Sequence, residues 1–292
     1  FTALVAGLAG VLFGGYEIQQ PAFKGFAAPK PLGTLFPFLF VTIACGACSG
    51  FHGLVCSGTT SKQIARESHA RLVGYGAMLA EALLAFLALA TLMIARDADV
   101  AELSPGVIYG NGLGSFLNFL TKSLFGIDDL TFAATFGAMA FSTFVFDTLD
   151  VCTRLGRYLA QELFGWKGRA GAAAGTLVTI AVPAWILSSA EQGSYMQFWT
   201  LFGASNQMLA ALTLFAVGVW LRRAGRPSMF AFVPMAFVLV MTTWAIAGIV
   251  LHNASLAAES SAALANAIAG SALLCLAGFL VLTGWRRLRS GA

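Results

Sequence analysis

Leu72-Val73-Gly74-Tyr75-Gly76-Ala77-Met78-Leu79-Ala80-Glu81-Ala82-Leu83-Leu84-Ala85-Phe86-Leu87-Ala88-Leu89-Ala90-Thr91-Leu92-Met93-Ile94-Ala95 holds one charged residue, Glu81. As an α-helix this stretch is about 36 Å long, and hydrocarbon about 30 Å thick needs roughly 20 apolar residues to cross. The rest of the chain repeats the pattern. Of its 292 residues 58% are hydrophobic and 10% charged, and the mean hydropathy is +0.80. A soluble domain carries about 25% charged residues, so a water-facing globule is excluded, and so are disordered and collagen-like chains. The net charge of +4 is too small to suggest nucleic acid as a partner.

Seven further apolar segments are Phe1–Gly15, Leu35–Ser57, Leu130–Cys152, Gly171–Ser188, Trp199–Leu221, Met229–Leu251 and Ala263–Trp285. Lipid offers no water to unpaired backbone groups, so helices are expected throughout. No stretch shows the two-residue alternation of a membrane barrel. The reading is an all-α polytopic membrane protein of about eight spans, one transmembrane domain over 1–292. Phe1 falls inside an apolar run with no charged region before it, so this is not a signal peptide. The chain is expected to begin partway through a longer protein.

Basic residues set the orientation. Lys62, Arg66 and Arg71, then Arg154, Arg157, Lys167 and Arg169, then Arg222, Arg223 and Arg226, and finally Arg286, Arg287 and Arg289 lie on alternate connections. The other connections hold Lys24, Lys30, Arg96 and Lys122. The positive-inside rule puts the first group, and the C-terminus, in the cytoplasm. Trp166, Trp185, Trp199, Trp220 and Trp285 lie near span ends, as interfacial anchors do. The stretch Ser104–Phe125 is Gly-rich and too polar to span. It reads as a re-entrant or interfacial element on the outer side. Thr60 and Gln63 have capping-box spacing, so a short interfacial helix is expected to start there.

The candidate chemistry lies in four places. Segment two carries Cys45-Gly46-Ala47-Cys48-Ser49-Gly50-Phe51-His52-Gly53 and then Ser57-Gly58-Thr59-Thr60-Ser61. Its glycines permit close helix packing, and they also weaken the helix, so a break here would open backbone groups to a ligand, as in interrupted transporter helices. A packed helix with a hydrogen-bonded His52 is the plainer alternative. Glu81 is either a proton relay or a structural hydrogen bond, since a carboxylate at that depth costs several kcal/mol unless paired or protonated. Asp147, Asp150, Arg154, Arg157 and Gln161 fall within an arc of roughly 80°. Asp150 and Arg154 have ion-pair spacing, and Asp147 is placed to share that arginine. The stripe reads as a helix lock or as an ion or anion gate. Asn206 and Gln207 beside Gly203 read as interhelical hydrogen bonds or as a cavity wall.

Cys45 and Cys48 form a C-x-x-C pair without a second pair, so all five cysteines are read as small packing residues. A metal site built from Cys45, Cys48 and His52 is the enzyme alternative. His252 is expected to be exposed on the outer side. No H-E-x-x-H, P-loop or G-x-S-x-G motif occurs. No cofactor or metal is expected, and the chain is not read as an enzyme.

Pro37–His52 with Ser57–Lys62, Gly74–Glu81, Phe146–Arg157 and Leu201–Ala211 closely resemble, in order, the carbon starvation protein CstA family. That resemblance implies an inner-membrane transporter of peptides or pyruvate, proton-coupled in some members. It also implies an inverted-repeat, broken-helix core like that of the amino acid–polyamine–organocation carriers. Family members begin with further spans that this sequence does not contain, and their connection between segments three and four is often longer. Cys48 and Cys56 stand where the family often has a small or hydroxyl residue.

On this reading Ser49, Gly50, Phe51, His52, Ser57, Gly58, Thr59, Thr60, Asn206 and Gln207 line the substrate site. Glu81, Asp147, Asp150, Arg154 and Arg157 handle protons or gating. The expected partners are a peptide or pyruvate, protons and the bilayer, with a homo-oligomer or the preceding helices as protein partners. The rival function is a structural or sensory subunit of a membrane complex.

Overall fold

The computed structural model describes residues 2–27, 34–189, 198–258 and 260–289, with side chains except at 2, 43–47, 101, 186, 189 and 287–289. Lys30 and the side chains of Cys45, Arg287 and Arg289 therefore lie outside the described residues. The described chain is helical, and its only β feature is an isolated bridge between Ala27 and Thr34.

The helices are α1 (Thr2–Phe13), α2 (Leu35–Ala47), α3 (Gly50–Val55), a π-helical turn (Cys56–Thr60), α4 (Ser61–Gln63), α5 (His69–Met93), α6 (Asp97–Glu102) and α7 (Pro105–Phe125). They continue with α8 (Leu130–Phe164), α9 (Gly168–Ser189), α10 (Trp199–Arg223), α11 (Met229–Ser255) and α12 (Ser261–Arg289). Among the described residues five helices are long and apolar enough to cross a bilayer: α5, α8, α10, α11 and α12. The other three expected segments take different forms. α1 has 12 residues, segment two is broken between α2 and α3, and α9 has 22 residues with Pro183 inside it. The outward faces are apolar: Leu79, Phe86 and Leu89 of α5 are each about half exposed. An apolar face of that extent is a lipid-contacting surface.

The chain divides into two compact units. Unit 1 is Phe1–Lys24 with Ile64–Arg154, and unit 2 is Gly25–Gln63 with Leu155–Ala292. In unit 1, α7 is the hub. It is one helix of 21 residues, about 31 Å long, with Leu113 and Phe116 fully buried. Its glycines are contact points. A Cβ on Gly112 would run into Thr91 of α5, and one on Gly114 would meet the Ala134 backbone of α8 at 2.5 Å. Small residues let helix backbones approach where lipid supplies no hydrophobic drive between helices. The same glycines lower the hydropathy of the stretch, and α7 is not among the described helices apolar enough to cross a bilayer.

The turn from α7 to α8 is held by polar contacts. Gly126 adopts φ 68°, the left-handed conformation that ends α7. Lys122 donates to Asp128 at 2.6 Å, the Asn118 Nδ2 donates to Asp128 at 2.8 Å, and the Asp129 N–H donates to the Asn118 side-chain Oδ1 at 3.0 Å. The hydrogen bonds from Lys122 and Asn118, with the lysine's charge, hold the Asp128 carboxyl below the usual carboxylate range. A depressed carboxyl stabilises the fold above the unfolded pKa, roughly 4, and that contribution fades as acid titrates the folded group. Asp128→Asn is expected to speed hydrogen exchange across residues 126–132 at neutral pH; unchanged exchange would show that the turn does not depend on this pair.

In unit 2, α10 is the hub. Ala204, Gln207 and Ala211 are wholly buried on it, and Val41, Met208, Ala245, Ile246 and Ala277 complete a core drawn from α2, α10, α11 and α12.

Candidate functional site

The break in segment two falls at Ser49, which is extended (φ −93°, ψ 131°) between the end of α2 and the start of α3. Ser49 occupies the N-cap position, yet it makes no capping bond of its own. The cap comes from α10. The Asn206 Oδ1 accepts the Phe51 backbone N–H at 2.7 Å, and the Asn206 carboxamide also meets the Ser49 hydroxyl, its Nδ2 lying 3.2 Å away. An Asn oxygen on a first-turn N–H is ordinary helix capping, here supplied across 155 residues of sequence. Asn206 is 8% exposed, so the bond is shielded from water.

Glycine makes this approach possible. A Cβ on Gly50 would fall on the Asn206 carbonyl oxygen and lie 2.6 Å from Leu209 Cβ and 2.7 Å from the Ala210 nitrogen. One turn on, a Cβ on Gly53 would meet the Thr213 hydroxyl at 2.9 Å. Gly50 and Gly53 thus form the bare face of α3 that fits α10. His52 lies half-buried on the same short helix. Gln207, next to Asn206, is fully buried instead. It borders a 10 Å³ void with Phe40, Val41, Phe237 and Thr242, about the lower limit for a single water. Gln207 is enclosed between α2, α10 and α11.

After α3 the chain widens into the π-helical turn, a form that often marks functional positions. The expected hydroxyl run lies here, and most of its protons are spent on the helix itself. Ser57 donates to the Leu54 carbonyl at 3.2 Å, buried Thr59 to Val55 at 2.9 Å, and Ser61 to Ser57 at 2.9 Å. These hydroxyls therefore present lone pairs rather than donors. The helix expected from the Thr60 and Gln63 spacing is a single turn, α4. Gly58 packs on Leu155 of α8, whose Cδ1 is 2.8 Å from where a Cβ would be.

That contact brings a cationic cluster alongside. The Lys62 ammonium lies 5.4 Å from the Tyr158 ring centroid, and the Arg157 guanidinium lies 4.9 Å from the same centroid. The Arg157 side-chain stem is close to α9, its Cγ 3.4 Å from where a Cβ on Gly175 would sit. The Arg157 Nε is buried with no hydrogen-bond partner among the described residues. An N–H in that state costs about 1–3 kcal/mol unless a ligand or water meets it. Sequence reading named Arg157 but counted Lys62 only toward topology, and it missed Tyr158. The available signal was that two basic connections assigned to the same membrane side both end near one aromatic residue.

The aspartate stripe is simpler than expected. Arg154 pairs with Asp150 at 2.5 Å, partly exposed. Asp147 is exposed and has no ion-pair partner among the described residues, so the two aspartates do not share the arginine. Glu81 is half-buried and is the middle residue of α5, about 18 Å from either end of that helix.

The described chain is an all-α membrane protein with an interrupted helix braced by a neighbour and followed by a cationic cluster, and interrupted helices are a form in which membrane proteins build ligand sites. The chain belongs to the carbon starvation protein CstA family, whose sequence profile matches residues 1–114 and 100–245. Pyruvate/proton symporter BtsT of Escherichia coli is 30% identical over 324 residues, covering 83% of this chain and 45% of that protein. Peptide transporter CstA of Escherichia coli is 30% identical over 308 residues (82% and 43%), and that of Helicobacter pylori is 31% identical over 306 (82% and 44%). The chain spans less than half the length of these relatives. No solved structure matches it.

Proposed function

We propose that this chain forms part of a proton-coupled transporter for small carboxylate-bearing nutrients, peptides or pyruvate, in a bacterial inner membrane with its C-terminus in the cytoplasm. The names of its relatives support the substrate class and the coupling. The observation that carries the reading is the run from the Ser49 break through the π-helical turn to Lys62 and Arg157 at Tyr158. Because Ser57, Thr59 and Ser61 donate inward, a substrate carboxylate takes its hydrogen bonds from Arg157 and Lys62. Arg157, with its planar fork of donors, supplies geometry as well as charge. Ser49, Gly50, Phe51, His52 and Asn206 form the hinge that moves this cluster between states. Glu81 carries the proton, and the Asp150–Arg154 pair, with Asp147 beside it, belongs to the gate. The Lys62–Tyr158 contact fits an orientation with both connections in the cytoplasm.

Uptake of labelled pyruvate and dipeptides into proteoliposomes tests this. Arg157→Gln is expected to raise KM at least tenfold and to lower the maximal rate much less, while Lys62→Gln shifts KM in the same direction by less. Equal KM values in wild type and Arg157→Gln would remove the carboxylate site from this cluster. Wild-type protein that binds a membrane partner but transports neither substrate would favour the structural-subunit reading.

A further inference from the structure

Unit 1 contains a 190 Å³ cavity where the C-terminal end of α5, helix α6 and the Gly-rich start of α7 meet. Its lining includes none of the residues assigned to transport above, and its chemistry is one-sided. Thr91, 1% exposed, donates its hydroxyl proton to the Ala88 carbonyl at 2.7 Å. Ser115 donates its own to the Asn111 carbonyl at 3.0 Å. Both hydroxyls therefore offer the cavity only lone pairs. Asp99 adds a carboxylate. Its neighbour Asp97 is paired with Lys24 at 2.7 Å, whereas Asp99 has no cation partner among the described residues. The Asn111 carboxamide also lines the cavity and makes no side-chain hydrogen bond among the described residues. Leu103 and Ile108 supply apolar wall.

We propose that this cavity is a cation site that takes a small organic ammonium group or a hydrated inorganic cation. Acceptors dominate its lining, and the one formal charge in that lining is negative. Water occupies about 30 Å³ per molecule in the liquid, so the volume is far too large for a bare metal ion and suits an alkylammonium head or a cation with its hydration shell. Leu103 and Ile108 give the carbon part of an ammonium ligand an apolar surface. The site stands independently of the carboxylate reading in unit 2.

The test is titration of the purified chain, in nanodiscs of zwitterionic lipid, with methylammonium chloride and separately with sodium chloride at matched ionic strength, followed by calorimetry. Saturable methylammonium binding identifies an organic-amine site, and saturable binding of sodium alone identifies an inorganic one. In either case Asp99→Asn is expected to weaken binding at least tenfold and Asn111→Leu several-fold, while Glu102→Gln, an exposed acid on the same α6, leaves it unchanged. Absence of saturable binding by either probe overturns the proposal. So does wild-type affinity in Asp99→Asn, or an equal loss in Glu102→Gln, which would mean a diffuse surface charge effect. If circular dichroism shows that Asp99→Asn does not fold, Asn111→Leu decides by the same criterion.

Discussion

Gly50→Ala is expected to be among the most damaging single-methyl substitutions in this chain. The added carbon lands on the Asn206 carbonyl oxygen and within 2.7 Å of the Ala210 nitrogen. Both are backbone atoms of a helix, so neither can rotate out of the way. Either α3 lifts off α10 or α10 bends. Lifting α3 removes the Asn206 oxygen from the Phe51 N–H, so the packing loss and the lost cap come together. Overpacking typically costs about 1–3 kcal/mol, and loss of a cap adds about 1 kcal/mol. A thermal melt in nanodiscs is expected to show a drop of several degrees, with substrate uptake falling in parallel. Gly203→Ala is the matched control on α10: its nearest neighbour, Val41 Cγ1, is 3.6 Å away, an ordinary contact, so that variant should melt like the wild type. Equal melts for Gly50→Ala and Gly203→Ala would mean that α3 is not seated on α10 as described.

Glu81→Gln is expected to abolish uptake driven by a pH gradient while leaving the protein folded. A charged carboxylate near the centre of a membrane helix costs about 2.5–3.5 kcal/mol on insertion scales, and Glu81 sits at the middle of α5. A residue retained there at that cost is either held by a partner or cycles its proton. Gln keeps the shape and most of the hydrogen-bonding capacity, so a purely structural role survives the change and a proton-carrying role does not. Proteoliposomes with and without an imposed gradient separate the two. A loss of gradient-driven accumulation of at least tenfold, with substrate exchange retained, assigns the proton to Glu81. Wild-type accumulation excludes it and moves the role to Asp147, the aspartate of the α8 stripe without an ion-pair partner among the described residues.

The helices themselves were legible. The segments now seen as α5, α8, α10, α11 and α12 announce themselves by long apolar runs, and the ion pair between Asp150 and Arg154 followed from four-residue spacing. Two features gain detail that the sequence does not carry. Residues 104–125 read as a re-entrant or interfacial element because glycine scores low on hydropathy, and in the fold α7 uses those glycines to seat its neighbours. The hydroxyls after Val55 were read as lining a substrate site, and residue type says nothing about where a proton points; in the fold Ser57, Thr59 and Ser61 donate to their own helix. Gln207 and Asn206 are adjacent in the chain and were indistinguishable there. A helix turns about 100° per residue, and that rotation places Gln207 fully buried while Asn206 caps the broken helix.

Lipid solubility is a sum over each residue's own atoms, so composition and run length were enough to establish a membrane-embedded, all-helical chain, while its family rested on the resemblance of four motif stretches. Which polar groups meet is a property of pairs distant along the chain. The Ser49–Asn206 bond joins residues 157 apart, and the Lys62–Tyr158 contact is likewise remote. Such pairs come together only when helices pack at angles and registers set by many small steric contacts at once, with bare glycine faces deciding which backbones can close.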